Sequence, residues 1–311
     1  MQIIRDYEFV DASDRGAAVA IGNFDGVHLG HQAVISLTAK EAHRLGCPTG
    51  ILTFEPHPRE FFAPDTKPFR LMNAEAKANR LAKMGVARLY ELTFNAALSQ
   101  LDAETFAQRV IADGLGLKHV VVGEDFCFGK GRKGTAQDLK RFGRDMGFGV
   151  TIAPLLAAGG IEVSSTRIRE ALSAGKPEIA AQMLGHMHRI EGEVIRGDQR
   201  GRELGYPTTN MSIAGLHPPR FGVYAVRVDV LGGPHAGEYT GVASIGVRPT
   251  FGENVANLET FIFDFSGDLY GAHLSVALVA FLRDELKFDS LDALITQMDD
   301  DSARAREILG A

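Results

Sequence analysis

Cysteine is scarce in this chain, with two among 311 residues, and Cys47 and Cys127 lack the close spacing of metal ligands. A disulfide framework and a cysteine-held zinc are therefore excluded as organising devices, and a reducing, cytoplasmic compartment is expected. No apolar run is long enough to span a bilayer, and the start MQIIRDYEFV has no apolar stretch behind a basic end, so neither anchoring nor export is expected. Positive charge is not in excess. With 33 Lys and Arg against 39 Asp and Glu, the formal net charge is −6 and the pI near 5.9, which argues against a broad nucleic-acid surface and favours small-molecule partners. A P-loop is missing too, since no glycine-lysine pair is followed by Ser or Thr at the required spacing.

What is present is the composition of a soluble globular protein, 45% apolar and 23% charged. A chain of this length predicts two domains rather than one core. The organising stretch follows the short apolar run Ala17 to Ile21, which reads as a buried strand ending at a glycine. It runs Gly22-Asn23-Phe24-Asp25-Gly26-Val27-His28-Leu29-Gly30-His31. Val34, Leu37, Ala42 and Leu45 then predict a helix over 31–45, ended by Gly46. Strand, glycine-rich loop and helix start bring backbone N–H groups and the positive helix end to where a polyphosphate can be held. His28 and His31, two residues apart across Leu29 and Gly30, can both donate to one anion. Far along the chain, Ser164-Ser165-Thr166-Arg167-Ile168-Arg169 supplies three hydroxyls at a helix start and two planar cationic forks suited to phosphate.

These two motifs, in this order, resemble the HxGH and SSTxIR blocks of the nucleotidylyltransferases related to class I aminoacyl-tRNA synthetases, in the form found in prokaryotic FAD synthetases. The resemblance implies that His28 and His31 are catalytic. It also implies that Gly22, Asn23, Phe24, Asp25, Gly26, Asp125, Ser164, Ser165, Thr166, Arg167 and Arg169 hold ATP and its phosphates. The likeness continues in the segment Thr53-Phe54-Glu55-Pro56-His57-Pro58, which is similar to the one lining the family's flavin pocket. With Phe62 and with Phe128 of Gly123-Glu124-Asp125-Phe126-Cys127-Phe128-Gly129, it gives Phe54, Pro56, His57 and Pro58 as flavin contacts; local packing of the exposed aromatics is the alternative.

In chain order, strands are expected at 49–54, 87–92, 118–123 and 149–155, alternating with helices at 74–84, 103–113 and 164–175. That alternation predicts an α/β domain with a parallel, Rossmann-like sheet. Gly129 to Gly134 satisfies G-x-G-x-x-G, but it does not follow a strand closely and no acidic residue ends the next strand, so it reads as a basic loop. A short helix over 177–184 and Gly185 mark the expected boundary between domains 1–185 and 186–311. Beyond it, short strands at about 188–196, 222–230, 239–247, 258–264 and 274–282 predict a small antiparallel β-barrel, followed by helices at 291–298 and 303–309.

In this second half, Gly192 to Asn210 interleaves four glycines with basic residues, a composition able to wrap a polyphosphate. Thr208 and Asn210 place two neutral oxygens on one side of an extended segment, hard ligands suited to magnesium. Pro207-Thr208-Thr209-Asn210 resembles the PTxN hallmark of riboflavin kinases, and Phe221 to Tyr224, Ile245 to Phe251, Leu269 to Gly271 and Phe281 to Arg283 continue the likeness. That family implies Thr208 and Asn210 on Mg2+, Glu259 as base, Gly197, Arg202, Gly205 and Pro207 at ATP, and Arg283 at the flavin. Together the two resemblances imply a bifunctional enzyme that converts riboflavin to FMN and FMN to FAD with ATP and Mg2+. Its expected partners are riboflavin, FMN and ATP, with neither nucleic acid nor membrane, and its expected state is a monomer or weak homo-oligomer. The alternatives are an enzyme with only one active half or with a different acceptor, or a flavin-binding or regulatory protein without turnover.

Overall fold

The computed structural model describes residues 1–154, 157–158, 161–197, 205–250 and 253–311. They form two compact units, one of residues 1–66 and 77–163 and the other of residues 67–76 and 164–311.

The first unit is built on a parallel sheet. Its strands are β1 (Gln2–Ile4), β2 (Ala18–Ile21), β3 (Thr49–Glu55), β4 (Arg88–Thr93), β5 (His119–Gly123) and, after the short ribbon β6 (Cys127–Phe128) and β7 (Gly134–Thr135), β8 (Gly149–Ala153). The spatial order is β1-β4-β3-β2-β5-β8, every neighbouring pair parallel. Small and branched residues make β2 and β5 continuous runs buried on both faces, as parallel strands between helical layers require. The connecting helices are α1 (Leu29–Leu45), α2 (Pro58–Phe62), α3 (Ala74–Lys83), α4 (Ala96–Ser99), α5 (Ala103–Phe106) and α6 (Ala136–Met146). The helix expected over 103–113 begins as α5 and continues with π-type winding over Ala107–Gly114. From β2 the chain steps to β3 and β4 on one side, then returns to place β5 on the other. The carboxyl end of β2 is thus the point at which the winding reverses, where open α/β sheets form their ligand crevice.

After a short pair of strands, β9 (Ala157–Ala158) and β10 (Ile161–Glu162), the second unit opens with α7 (Ser165–Ser173) and α8 (Pro177–Leu184). Segment 67–76 packs here: Arg70 bridges Leu216, and Asn73 Nδ2 donates to the Glu191 carbonyl at 2.9 Å. An antiparallel sheet follows, of β11 (Arg189–Glu193), β12 (Thr208–Ser212), β13 (Gly222–Val230), β14 (Gly237–Thr250), β15 (Glu253–Ile262) and β16 (His273–Arg283), in the order β11-β16-β13-β14-β15-β12. Past the end of β11, the Ile195 amide donates to the Asn210 carbonyl of β12 at 2.8 Å, which draws the first and last strands of that order together into a nearly closed barrel. Alternation sorts the faces. Met211, Tyr224, Val226, Val228, Ala243, Ile245, Leu258, Val276 and Leu278 fill the interior, while Val223, Ala225, Phe263 and, past a register shift in β16, Leu282 face outward.

One helix, α9 (Leu291–Leu309), closes the chain where two were expected, and its Ala305 and Leu309 pack on Val223, Ala225 and Phe263 of the barrel's outer face. Asp299, Asp300 and Asp301, in the gap left between the two expected helices, are wound into α9. Tyr206 donates to Asp299, and Arg283 grips Asp301 with Nε and Nη2 at 2.8–3.0 Å, so two of the three carboxylates have tertiary partners. Among the described residues no helix is long and apolar enough to cross a membrane.

Candidate active sites

Gly22 leaves β2 at the reversal point, and the loop that follows is tightly constrained. Phe24 and Val27 both have positive φ, 52° and 45°, a region bulky and β-branched residues rarely enter. Burial holds them there: Phe24, Asp25 and Val27 are all buried, and the Val27 carbonyl accepts from Gln32 Nε2 at 2.9 Å. His28 is the N-cap of α1, so the helix begins two residues earlier than the apolar spacing indicates. Its Nδ1 accepts from the His31 amide at 3.3 Å. The His28 and His31 rings stack with centroids 3.6 Å apart and planes 14° apart, and Phe24 leans on His31 at 5.1 Å. Gly30 permits this: a Cβ there would lie 3.1 Å from the His28 ring.

Burial drives the pKa of His28 down to about 4. That of His31 lies well below its ordinary value through burial, then the adjoining His28, then the charge of Lys77. Both imidazoles are therefore neutral near pH 7. Because His28 Nδ1 is an acceptor, its proton resides on Nε2, ready to donate outward. His31 Nδ1 is buried without a hydrogen-bond partner, an unmet capacity in a site otherwise closely satisfied.

The other expected contacts of this unit fall in two places. Asp125 is exposed just past β5. Phe54 and Phe128 belong to an aromatic cluster with Phe94, Phe106 and Phe126, and Phe62, 65% exposed, meets Phe61 and Phe94 edge to face. Phe126 lies in the Gly123 to Gly129 block, whereas Phe94 and Phe106 had no motif to announce them and emerge only when the fold brings the residue after β4 and the end of α5 against Phe54. The Glu55–Pro56 bond is cis, and His57 caps α2 through a reciprocal box with Glu60, with Pro58 in the first turn.

The Ser164 motif folds with the second unit. Ser164 caps α7 by accepting from the Arg167 amide at 3.3 Å, Thr166 and Arg167 are exposed, and Ile168 is buried as an anchor. Arg169 donates to the Phe69 carbonyl and to Thr166 Oγ1, each at 3.3 Å.

The second unit carries a cleft of about 720 Å³ between the outer face of the barrel and α9. Thr208, Ser244, Glu259 and Phe261 line its strand side, and Leu291, Leu294 and Met298 its helix side. The register explains the convergence. Glu259 sits directly between Asn210 on β12 and Ser244 on β14, and Thr208 lies opposite Phe261, so these residues share one face. Asn210 Oδ1 accepts from Asn257 Nδ2 at 3.0 Å and keeps a second lone pair. Gly197 is required beside it, because a Cβ there would come within 2.4 Å of the Asn210 amide nitrogen. Arg283 lines the cleft with its guanidinium committed to Asp301. Gly205 and Pro207 lead into β12, while Arg202 lies outside the described residues.

Two family models match this chain, FAD synthetase over residues 10–167 and riboflavin kinase over residues 184–309. Similar proteins include the bifunctional riboflavin kinase/FMN adenylyltransferases of Pseudomonas fluorescens, 42% identical over 99% of this chain and 98% of that protein, and of Escherichia coli K12, 38% identical over 100% and 98%. A crystal structure described as a macrolide-efflux protein from Streptococcus pneumoniae superposes with a TM-score of 0.83 at 32% identity, covering 98% of this chain and 99% of that one. With both models matched in order and relatives alike from end to end, the chain belongs to the bifunctional riboflavin kinase/FMN adenylyltransferase family.

Proposed function

We propose that this protein makes FAD from riboflavin in two ATP-dependent steps, with residues 1–185 serving the adenylyl transfer and residues 186–311 the phosphorylation. In the barrel cleft the ribityl 5′-hydroxyl oxygen attacks the γ-phosphorus of ATP. The bond from that phosphorus to the β-bridging oxygen breaks, ADP departs, and the hydroxyl proton passes to Glu259. The donor set fits magnesium, because a hydroxyl and a carboxamide oxygen two residues apart are hard ligands. Mg2+ is usually held by one or two protein groups plus substrate phosphates rather than by a full protein cage. Thr208 and Asn210 would hold it, and when bound it neutralises charge on the phosphates. Phosphoryl transfer depends mainly on positioning and charge stabilisation, which the rigid strand register supplies.

At the end of β2 a phosphate oxygen of FMN attacks the α-phosphorus of a second ATP. The bond to the β-phosphate breaks and pyrophosphate leaves, with no covalent enzyme intermediate. His28 and His31 donate hydrogen bonds to the phosphate chain as charge accumulates on it, and backbone N–H groups at the start of α1 add to them. In the same unit, Phe54, Phe62 and Phe128 supply a stacking surface for the isoalloxazine.

The observation that carries this reading is the register that puts Glu259, which lines the cleft, directly beside Asn210, since a module that only bound flavin would need no base next to a metal ligand. Incubation with riboflavin and Mg-ATP, followed by chromatography of the flavins, tests it. FAD is expected; accumulation of FMN alone, or unchanged riboflavin, rejects one or both steps.

A further inference from the structure

Lys77 is 2% exposed, on α3, and no motif includes it. Its ammonium reaches Thr53 Oγ1 at 3.4 Å and lies 3.8 Å from Glu55 Oε2, both on β3. Thr53, fully buried, donates its own proton to the Asn23 carbonyl at 3.3 Å. A hydroxyl that donates in one direction can accept from the other, so the three groups form a chain of one polarity, Lys77 to Thr53 to Asn23. Each bond strengthens the next. It ends on the loop that carries the stacked histidines, within the segment where Phe24 and Val27 take positive φ. His31 feels the charge of Lys77 directly, after the larger effects of burial and of His28.

A buried ammonium is a costly way to fill space. An apolar side chain of similar volume packs at least as well in most interiors, so structure alone gives little reason for a cation here. Its placement does supply what the site otherwise lacks. The two imidazoles are neutral, and while burial and Gln32 hold the loop from Phe24 to Val27, the Thr53 hydroxyl fixes the Asn23 carbonyl where the loop begins.

We propose that Lys77 is a positioning residue for adenylyl transfer, acting through the Thr53 hydroxyl to fix the Asn23 carbonyl and thereby the β2–α1 loop that presents His28 and His31. The proposal rests on the adenylyltransferase reading. Wild-type protein assayed alongside separates the two, since failure of the wild type to form FAD rejects that reading before any variant is considered.

The test compares Lys77→Met, Thr53→Val and Thr53→Ser in the full chain, measuring FAD formation from FMN, FMN formation from riboflavin, and thermal melting. Lys77→Met and Thr53→Val are each expected to lower kcat for FAD formation by about tenfold or more, with FMN formation within about twofold of wild type. Thr53→Ser keeps the hydroxyl and should stay within about threefold of wild type for FAD formation. The double variant Lys77→Met/Thr53→Val should lose no more than the worse single variant, because the two act as one chain. Losses that multiply, or a Thr53→Ser defect as deep as that of Thr53→Val, overturn the proposal. So does a folded Lys77→Met that retains wild-type kcat. Should Lys77→Met fail to fold, the contrast between the valine and serine variants decides alone.

Discussion

A neutral imidazole grips phosphate by donating a hydrogen bond, an imidazolium by charge, and because burial keeps His28 and His31 neutral the proposed adenylyl-transfer site relies on the first. Deleting one such donor costs on the order of 3 kcal/mol of transition-state stabilisation. His28→Ala is therefore expected to lower FAD formation about a hundredfold while FMN formation from riboflavin stays near wild type, measured by chromatography of the two flavins. Equal loss of both activities would reject the assignment. The same burial has a signature in stability. His28 titrates at about 4 and His188, buried in the second unit, at about 3, both below the roughly 6.5 of a free imidazole. As pH falls below about 6.5 the unfolded chain takes up protons that the folded one refuses, so stability is lost progressively toward the folded values and is recovered above 6.5. Each of these histidines should cost about 1.4 kcal/mol for every pH unit below 6.5, visible as a falling melting temperature between pH 7 and 5.5. At this scale the sequence was informative where chemistry is crowded into a short stretch, as at His28 and His31. It was silent on Lys77, whose relevance comes from Thr53 and Asn23, residues remote from it in the chain.

Secondary structure was legible where periodicity is strong and local. The continuous apolar runs of β2 and β5, the apolar run of β13 and the spacing in α1 needed no tertiary information. The unity of α9 did, because Asp299 to Asp301 interrupt the apolar periodicity and only the fold gives Asp299 and Asp301 their partners Tyr206 and Arg283. The contributions of Phe94 and Phe106 to the aromatic cluster were hidden for a similar reason, since they reach Phe54 from separate elements. Two glycines connect element to chemistry. Gly30 makes room for the His28 ring within the first turn of α1, and Gly197 makes room for the Asn210 carboxamide beside β12. Gly197→Ala should accordingly lower FMN formation by about tenfold or more, with adenylylation of supplied FMN preserved, in steady-state assays of each step. On β15, Glu259→Gln keeps the strand and its pairings while removing the proton acceptor. A fall of about a hundredfold in kcat for FMN formation is expected, within the range that general base catalysis contributes. Retention of wild-type kcat would remove Glu259 from the mechanism.

Across the whole molecule, two compact units with separate interiors allow each step to be disabled without the other. FMN is the product of one and the substrate of the other, so a protein lacking the first step and one lacking the second should complement through solution. Mixing His28→Ala with Glu259→Gln is expected to restore conversion of riboflavin to FAD, with free FMN detectable in transit by chromatography. No FAD from the mixture would show that the intermediate never leaves the chain that made it. The two-domain plan and the change from alternating strands and helices to closely spaced strands were both readable in the sequence, because they follow from length and pattern. The packing of 67–76 with 164–311 was not, because bonds such as Asn73 to Glu191 join residues far apart in the chain.

Asn210 has a double duty. Its carbonyl takes the Ile195 amide across the gap where the barrel nearly closes, and its side chain accepts from Asn257 Nδ2 beside Glu259. Any breathing of that seam must swing the carboxamide as well, so heat should silence phosphorylation before the barrel melts. The proton on the Ile195 nitrogen then becomes a built-in gauge, exchanging with heavy water more slowly once Mg-ATP has clamped the seam shut.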